Sequence, residues 1–271
     1  MSDKNMMATP EPWDLVAGGY AETTMQMLAQ YVEVGVGTLA LHDGSKVLDV
    51  ACGSGSVALV VAKQVKSVHA IDFSVSMLDI CKQKADDDNI KNIQILHGDA
   101  QMFPFADEYF DAAISMFGLM FFPDRKAGLS EMYRTLKQGG RVAVSSWAPV
   151  SDSPAMNIVF GAMREIDSDM LEPETIIDSL ENPDVFQAEL KAAGFKDVKV
   201  ERITKQFPIE SVSVFWQSMV KGHVGITMMK HQLSEVEWLE KERVALAYLH
   251  KHIPQTPTAL ASGAWLGTGR K

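Results

Sequence analysis

The chain has 271 residues, long enough for one large core with a cap, and its 46% apolar and 22% charged residues are ordinary for a soluble globular protein. A net charge of −10 offers no basic field to displace counterions, which argues against nucleic acid as the main partner and favours a small or neutral substrate. Two cysteines, no apolar run near about 18 residues and an N-terminus without a basic-then-apolar leader point to a reducing compartment, no membrane span and a cytoplasmic location.

Residues 1–12 are polar and proline-containing and read as a mobile arm. From Trp13 the pattern changes: Trp13, Val16, Ala17, Tyr20, Thr24 and Met27 recur at helical spacing, which predicts a helix over 13–30. That helix either packs on the core or, through Trp13 and Tyr20, closes a ligand site; both roles are compatible.

The stretch KVLDVACGSG (46–55) is the organising feature. Val47, Leu48 and Val50 read as a short buried strand and Gly53 to Gly55 as a tight turn, with a helix over 57–62. Glycine lets the backbone turn sharply and a ligand come close, and amides at the helix start add positive charge. Asp49, four residues before Gly53, makes this turn unlike a pyrophosphate cradle, because a carboxylate beside it repels phosphate and suits a cation.

Residues 67–72 (SVHAID) read as a second strand, and Ser74 begins a helix to about Asp86. Asp72 lies where an acid at the end of the second strand accepts from ribose hydroxyls, or else caps the helix. Met77, one turn into the helix, either covers a base or fills the core. A third strand over 92–97 runs into Gly98-Asp99-Ala100-Gln101, where Asp99 can accept from an adenine amino group and the amides of Ala100 or Gln101 face a ring nitrogen. The run 110–122 is a fourth strand entering an apolar loop, which puts Ser115, Met116 and Phe117 over the same cleft as Gly53.

A helix over 126–137, a Gly139-Gly140 stop and a strand over 141–147 follow, so five strand-helix units imply a doubly wound α/β parallel sheet with helices on both faces. Residues 149–182 break the rhythm and read as a cap insertion, with a helical patch at 155–166. A helix over 184–193, a Gly194 cap and a strand over 198–204 resume the core. Residues 208–257 are a second cap with helices at 211–221 and 234–252, and 259–269 a last, antiparallel strand. Of the remaining reactive groups, Cys52 reads as a small loop residue and His223 as a candidate base near the cleft. His250 and His252 point to different helix faces, which disfavours a metal pair.

Taken together, VLDVACGSG, AIDFSVSML, HGDAQMFPF, FDAAISMFGL and EMYRTLKQGGRVAVSSW resemble, in order and spacing, class I S-adenosylmethionine-dependent methyltransferases, in particular the branch acting on quinones, glycine or sarcosine. The resemblance covers about 13–147 and implies a single Rossmann-like, mostly parallel seven-stranded domain over 1–271, with 46–147 as cofactor-binding core and helical caps on the substrate side. It implies that Asp49, Ala51, Gly53 and Gly55 hold the methionine part of S-adenosylmethionine, Asp72 and Phe73 the ribose, Met77 the adenine face, and Asp99, Ala100 and Gln101 the adenine edge. Ser115 and Met116 would line the methyl donor, Tyr20 would cover its methionine end, and Tyr20 or His223 would serve if a base is needed. The implied partner is a small-molecule methyl acceptor, with no metal. Within the fold the rival is an NAD(P)-dependent oxidoreductase, since Gly53-x-Gly55-x-x-Ala58 satisfies the loose dinucleotide pattern; a non-catalytic cofactor-binding regulator is the rival outside it.

Overall fold

In the computed structural model, which describes residues 6–167 and 179–271, a seven-stranded sheet forms the centre. Its strands are β1 (Lys46–Val50), β2 (Ser67–Asp72), β3 (Ile93–His97), β4 (Phe110–Met116), β5 (Leu136–Trp147), β6 (Lys196–Ile209) and β7 (Thr258–Arg270). They lie in the order β3-β2-β1-β4-β5-β7-β6, and β7 runs antiparallel to both of its neighbours. The order reverses between β1 and β4, so their carboxyl ends flank an open crevice.

Alternation along the strands sorts side chains onto two cores. Val47, Val68, Ala112 and Ile114 join one, and Leu48, Val50, Ala113 and Val142 the other. The first face is covered by α2 (Met25–Gly37) and the short α3 (Ala58–Val61), the second by α5 (Arg125–Thr135) and α7 (Pro183–Ala192). Between them in the chain come α4 (Val75–Asp87) and α6 (Pro154–Ile166). Ser74 starts α4 by accepting the Met77 amide at 3.2 Å, and Asp124 starts α5 by accepting that of Ala127 at 3.0 Å.

A third core lies away from the sheet. It unites α6 with α8 (Val212–Gly222) and α10 (Glu235–His252), and α9 (Val224–Gln232) adds Ile226. Trp216 and Trp238 stack in it with ring centres 6.2 Å apart.

Several boundaries differ from the sequence reading. The first helix, α1 (Glu11–Gly19), takes in Glu11 and Pro12, which had been read as arm; residues 1–5 of that arm lie outside the described residues. The single helix expected over 13–30 is α1, a π-helical turn at Tyr20–Thr24 and then α2. Gly139-Gly140 does not stop a helix ahead of β5: the strand begins at Leu136, and the glycines occupy a slip in its register against β4 between Phe110 and Ala112. β6 runs on to Ile209, so the second cap starts later than 208, and α9 was not foreseen. Residues 168–178 of the first expected cap lie outside the described residues.

Candidate functional site

At the end of β1 the backbone turns through a run of left-handed conformations: Ala51 at φ +54°, Gly53 at +52° and Gly55 at +90°. Gly55 is needed for space as well as geometry, since a Cβ there would stand 2.6 Å from Cys81 Sγ. Gly53 is needed for geometry, with nothing closer than 4.0 Å to a Cβ. The Gly53 amide is not offered to a ligand, as the sequence had suggested for the amides of this corner. It donates to Asp72 Oδ2 at 2.8 Å, while Ser74 N donates to Oδ1 at 2.9 Å. One carboxylate thereby ties the first turn to the second.

Beyond this corner lies a cleft of about 210 Å³. Of the residues singled out from sequence, Tyr20, Ala51, Gly53, Asp72, Phe73, Met77, Asp99, Ala100, Gln101 and Met116 line it together. Asp49, Gly55 and Ser115 were expected at the ligand surface and instead lie beneath it: Asp49 is a central-strand residue paired on both sides, Gly55 packs on Cys81, and Ser115 is fully buried. His223 lies elsewhere, on a second cavity.

Asp49 is only 1% exposed, and its Oδ2 has no hydrogen-bond partner. Burial pushes its carboxyl up to about 8, the charge of Asp72 adds to this, and a hydrogen bond from the Ala58 amide opposes it. Burial also raises Asp72, against the amides it accepts. At the other end Asp99 accepts from the amide and side chain of Gln101, and Gln101 Oε1 accepts from Asp124 N at 2.8 Å, so the loop after β3 is braced on the start of α5.

The π-helical turn brings Tyr20 over the cleft beside Trp13 of α1, whose ring meets Phe121 edge-on at 5.1 Å. α1 is held to α4 through Asp14, which accepts from Ser74 Oγ at 2.6 Å and Ser76 N at 3.0 Å. Burial and the Asp72 charge drive the Tyr20 phenol well above its usual range, so it stays protonated. A second cavity of about 160 Å³ shares Trp13, Tyr20, Phe117 and Phe121 with the cleft and continues under α6, α8 and α9.

Phe121, Gly118 and Asp14 had not been singled out. Phe121 lies in the apolar run after β4, a signal already visible. Gly118 leaves room for Ala51, whose Cβ would be 2.4 Å from one added there. Asp14 carries no sequence signal, because its partners are about sixty residues away.

Residues 48–144 match the family model described as a methyltransferase domain. Over that stretch the chain is similar to methyltransferases. Its seven-stranded sheet with β7 antiparallel has the Rossmann-like architecture of class I methyltransferases. The chain is 43% identical over 108 residues to the demethylmenaquinone methyltransferase of Staphylococcus epidermidis, an alignment covering 39% of this chain and 44% of that one. An uncharacterized protein of Mycobacterium tuberculosis is 34% identical over 146 residues, 54% of this chain and 52% of the other. The chain thus spans about half the length of the curated relatives it matches. A solved structure of a candidate methyltransferase from Bacillus halodurans C-125 shares the fold with a TM-score of 0.60 at 22% identity, over 89% of this chain and 98% of that one. No helix among the described residues is long and apolar enough to cross a membrane.

Proposed function

We propose that the chain is an S-adenosylmethionine-dependent methyltransferase acting on a small-molecule acceptor. One electrostatic observation carries this reading. Asp72 and Asp99 stand on the cleft wall, the Asp49 carboxyl lies beneath with its Oδ2 unpartnered, and no lysine, arginine or histidine among the described residues lines the cleft. Such a surface repels the pyrophosphate of NAD and suits a nucleoside joined to a cationic group.

In this reading Asp72 accepts the ribose hydroxyls with the lone pairs its amide bonds leave, and Phe73 borders the same sugar. Met77 covers the base, while Asp99, Ala100 and Gln101 meet the adenine edge. Ala51, Gly53 and Met116 border the methionine end, with Asp49 as the buried countercharge, and Gly55 and Ser115 support that wall from below. When bound, S-adenosylmethionine supplies an electrophilic methyl group on a sulfonium, transferred by in-line displacement. The chain's own contribution is alignment and exclusion of water by Trp13, Tyr20, Phe117 and Phe121. Tyr20, held protonated, orients rather than abstracts.

Calorimetry with S-adenosylmethionine and with NAD tests this, the first binding and the second not. Asp99→Ala removes an exposed side chain bonded only to Gln101, so it leaves the fold intact and weakens S-adenosylmethionine about tenfold. Binding of NAD alone would overturn the reading.

A further inference from the structure

We infer that the second cavity receives an uncharged, largely apolar acceptor bearing an oxygen, and that His223 donates a hydrogen bond from Nε2 to that oxygen. The inference rests on the proposed function, since it supplies the acceptor that reading leaves unspecified.

Three observations carry it. The cavity opens onto the cleft across Trp13, Tyr20, Phe117 and Phe121, so a molecule within it faces the methionine end of the cleft. Among the described residues no lysine, arginine, aspartate or glutamate lines it, and its walls are mostly aromatic rings, methionines and aliphatic side chains. A formal charge there would lose its hydration with no opposite charge to replace it.

The polar groups on the wall are few: Trp13, Thr24 and Ser262 are already hydrogen-bonded, while Tyr20, Trp147 and His223 carry donors with no bonded partner among the described residues. Thr24 Oγ1 donates to Gly222 O at 3.0 Å, and Ser262 Oγ accepts from Ser153 Oγ at 3.0 Å. Of the last three, His223 is held in place by a hydrogen bond of its own. Its Nδ1 caps α9 by accepting from the Ile226 amide at 3.4 Å, which leaves the ring proton on Nε2, and Nε2 has no partner among the described residues. Burial lowers the imidazole to about 4, so it enters neutral pH uncharged. A neutral ring whose basic nitrogen is engaged by an amide is a donor. It is not the base that sequence reading entertained.

The test measures binding of 1-naphthol, naphthalene and 1-naphthoate to the full chain loaded with S-adenosylhomocysteine, by quenching of tryptophan fluorescence. We expect 1-naphthol to bind at least about tenfold more tightly than 1-naphthoate, whose carboxylate must be desolvated. His223→Leu should weaken 1-naphthol by roughly three- to tenfold and leave naphthalene and S-adenosylhomocysteine unchanged. His223→Asn guards against a folding artefact: it keeps a cap acceptor for α9 yet is shorter than imidazole, so it too loses the preference for 1-naphthol over naphthalene. Equal or tighter binding of 1-naphthoate, unchanged 1-naphthol affinity in both variants, or no 1-naphthol binding to a protein that holds S-adenosylhomocysteine each overturns the inference and leaves the proposed function standing. Failure to bind S-adenosylhomocysteine at all sinks the proposed function itself.

Discussion

Asp49 shows how one side chain sets the pH behaviour of the site. Its carboxyl, ordinarily near 3.8, is held up to about 8 by burial. Between about pH 4 and 8 the folded chain keeps a proton that the unfolded chain has released, so stability from this group falls as pH rises, by up to roughly 1.4 kcal/mol per pH unit, and levels off above 8. Asp49→Asn should flatten that part of the stability profile in denaturant titrations. A cation brought near Oδ2 favours the ionised form, so cofactor binding at pH 7 should release a proton and tighten as pH approaches 8. Calorimetry in buffers of different ionisation enthalpy counts that proton. A count of zero in the wild type, or the same count in Asp49→Asn, refutes the coupling.

Among the elements, α1 and the π-helical turn wall the cleft through Trp13 and Tyr20. α1 is pinned at one side to α4 by Asp14, and at the other to α8, where Gly19 lies so close to Lys221 O that a Cβ would be 2.0 Å away. Removing the Asp14 carboxylate breaks two bonds to α4 and leaves the packing of Val16 and Ala17 in place. Asp14→Ala should therefore raise the dissociation rate of S-adenosylmethionine about tenfold with little loss of thermal stability. Stopped-flow displacement reads the rate directly, and an unchanged value would mean that α1 is not the gate.

At this scale much was legible in the sequence. The runs SVHAID, ending in Asp72, and NIQILH, leading into Gly98-Asp99, marked strands and their cleft-facing ends, because strand period and turn chemistry are local. What is set by distant partners was not legible. The slip at Gly139-Gly140 depends on pairing with β4, and the capture of the Gly53 amide depends on a carboxylate nineteen residues away. α9 was missed because it is nine residues long and capped by a histidine, outside the usual serine, threonine, aspartate or asparagine signal. The two cavities share walls drawn from α1, the π-helical turn and the loop after β4, a juxtaposition that no local pattern encodes.

Across the whole molecule, the sheet and the cap have separate cores, with the cleft on the sheet side and the second cavity between the two. The sheet cores hold Leu48, Val50 and Val68, while the cap core centres on Trp216 and Trp238, with Trp216 Nε1 donating to Glu242 Oε1 at 3.0 Å. Trp238 is 5% exposed and lies against cap residues, so Trp238→Ala should cost about 3–5 kcal/mol, most of it falling on the cap. Amide exchange should then quicken in α8 and α10 while β1, β2 and α4 keep their protection. Because Asp72, Met77 and Asp99 stand on the sheet side, S-adenosylmethionine should still bind, whereas 1-naphthol should not. Uniform loss of protection across sheet and cap would show that the two cores unfold as one, and the division of labour between them would fall with it.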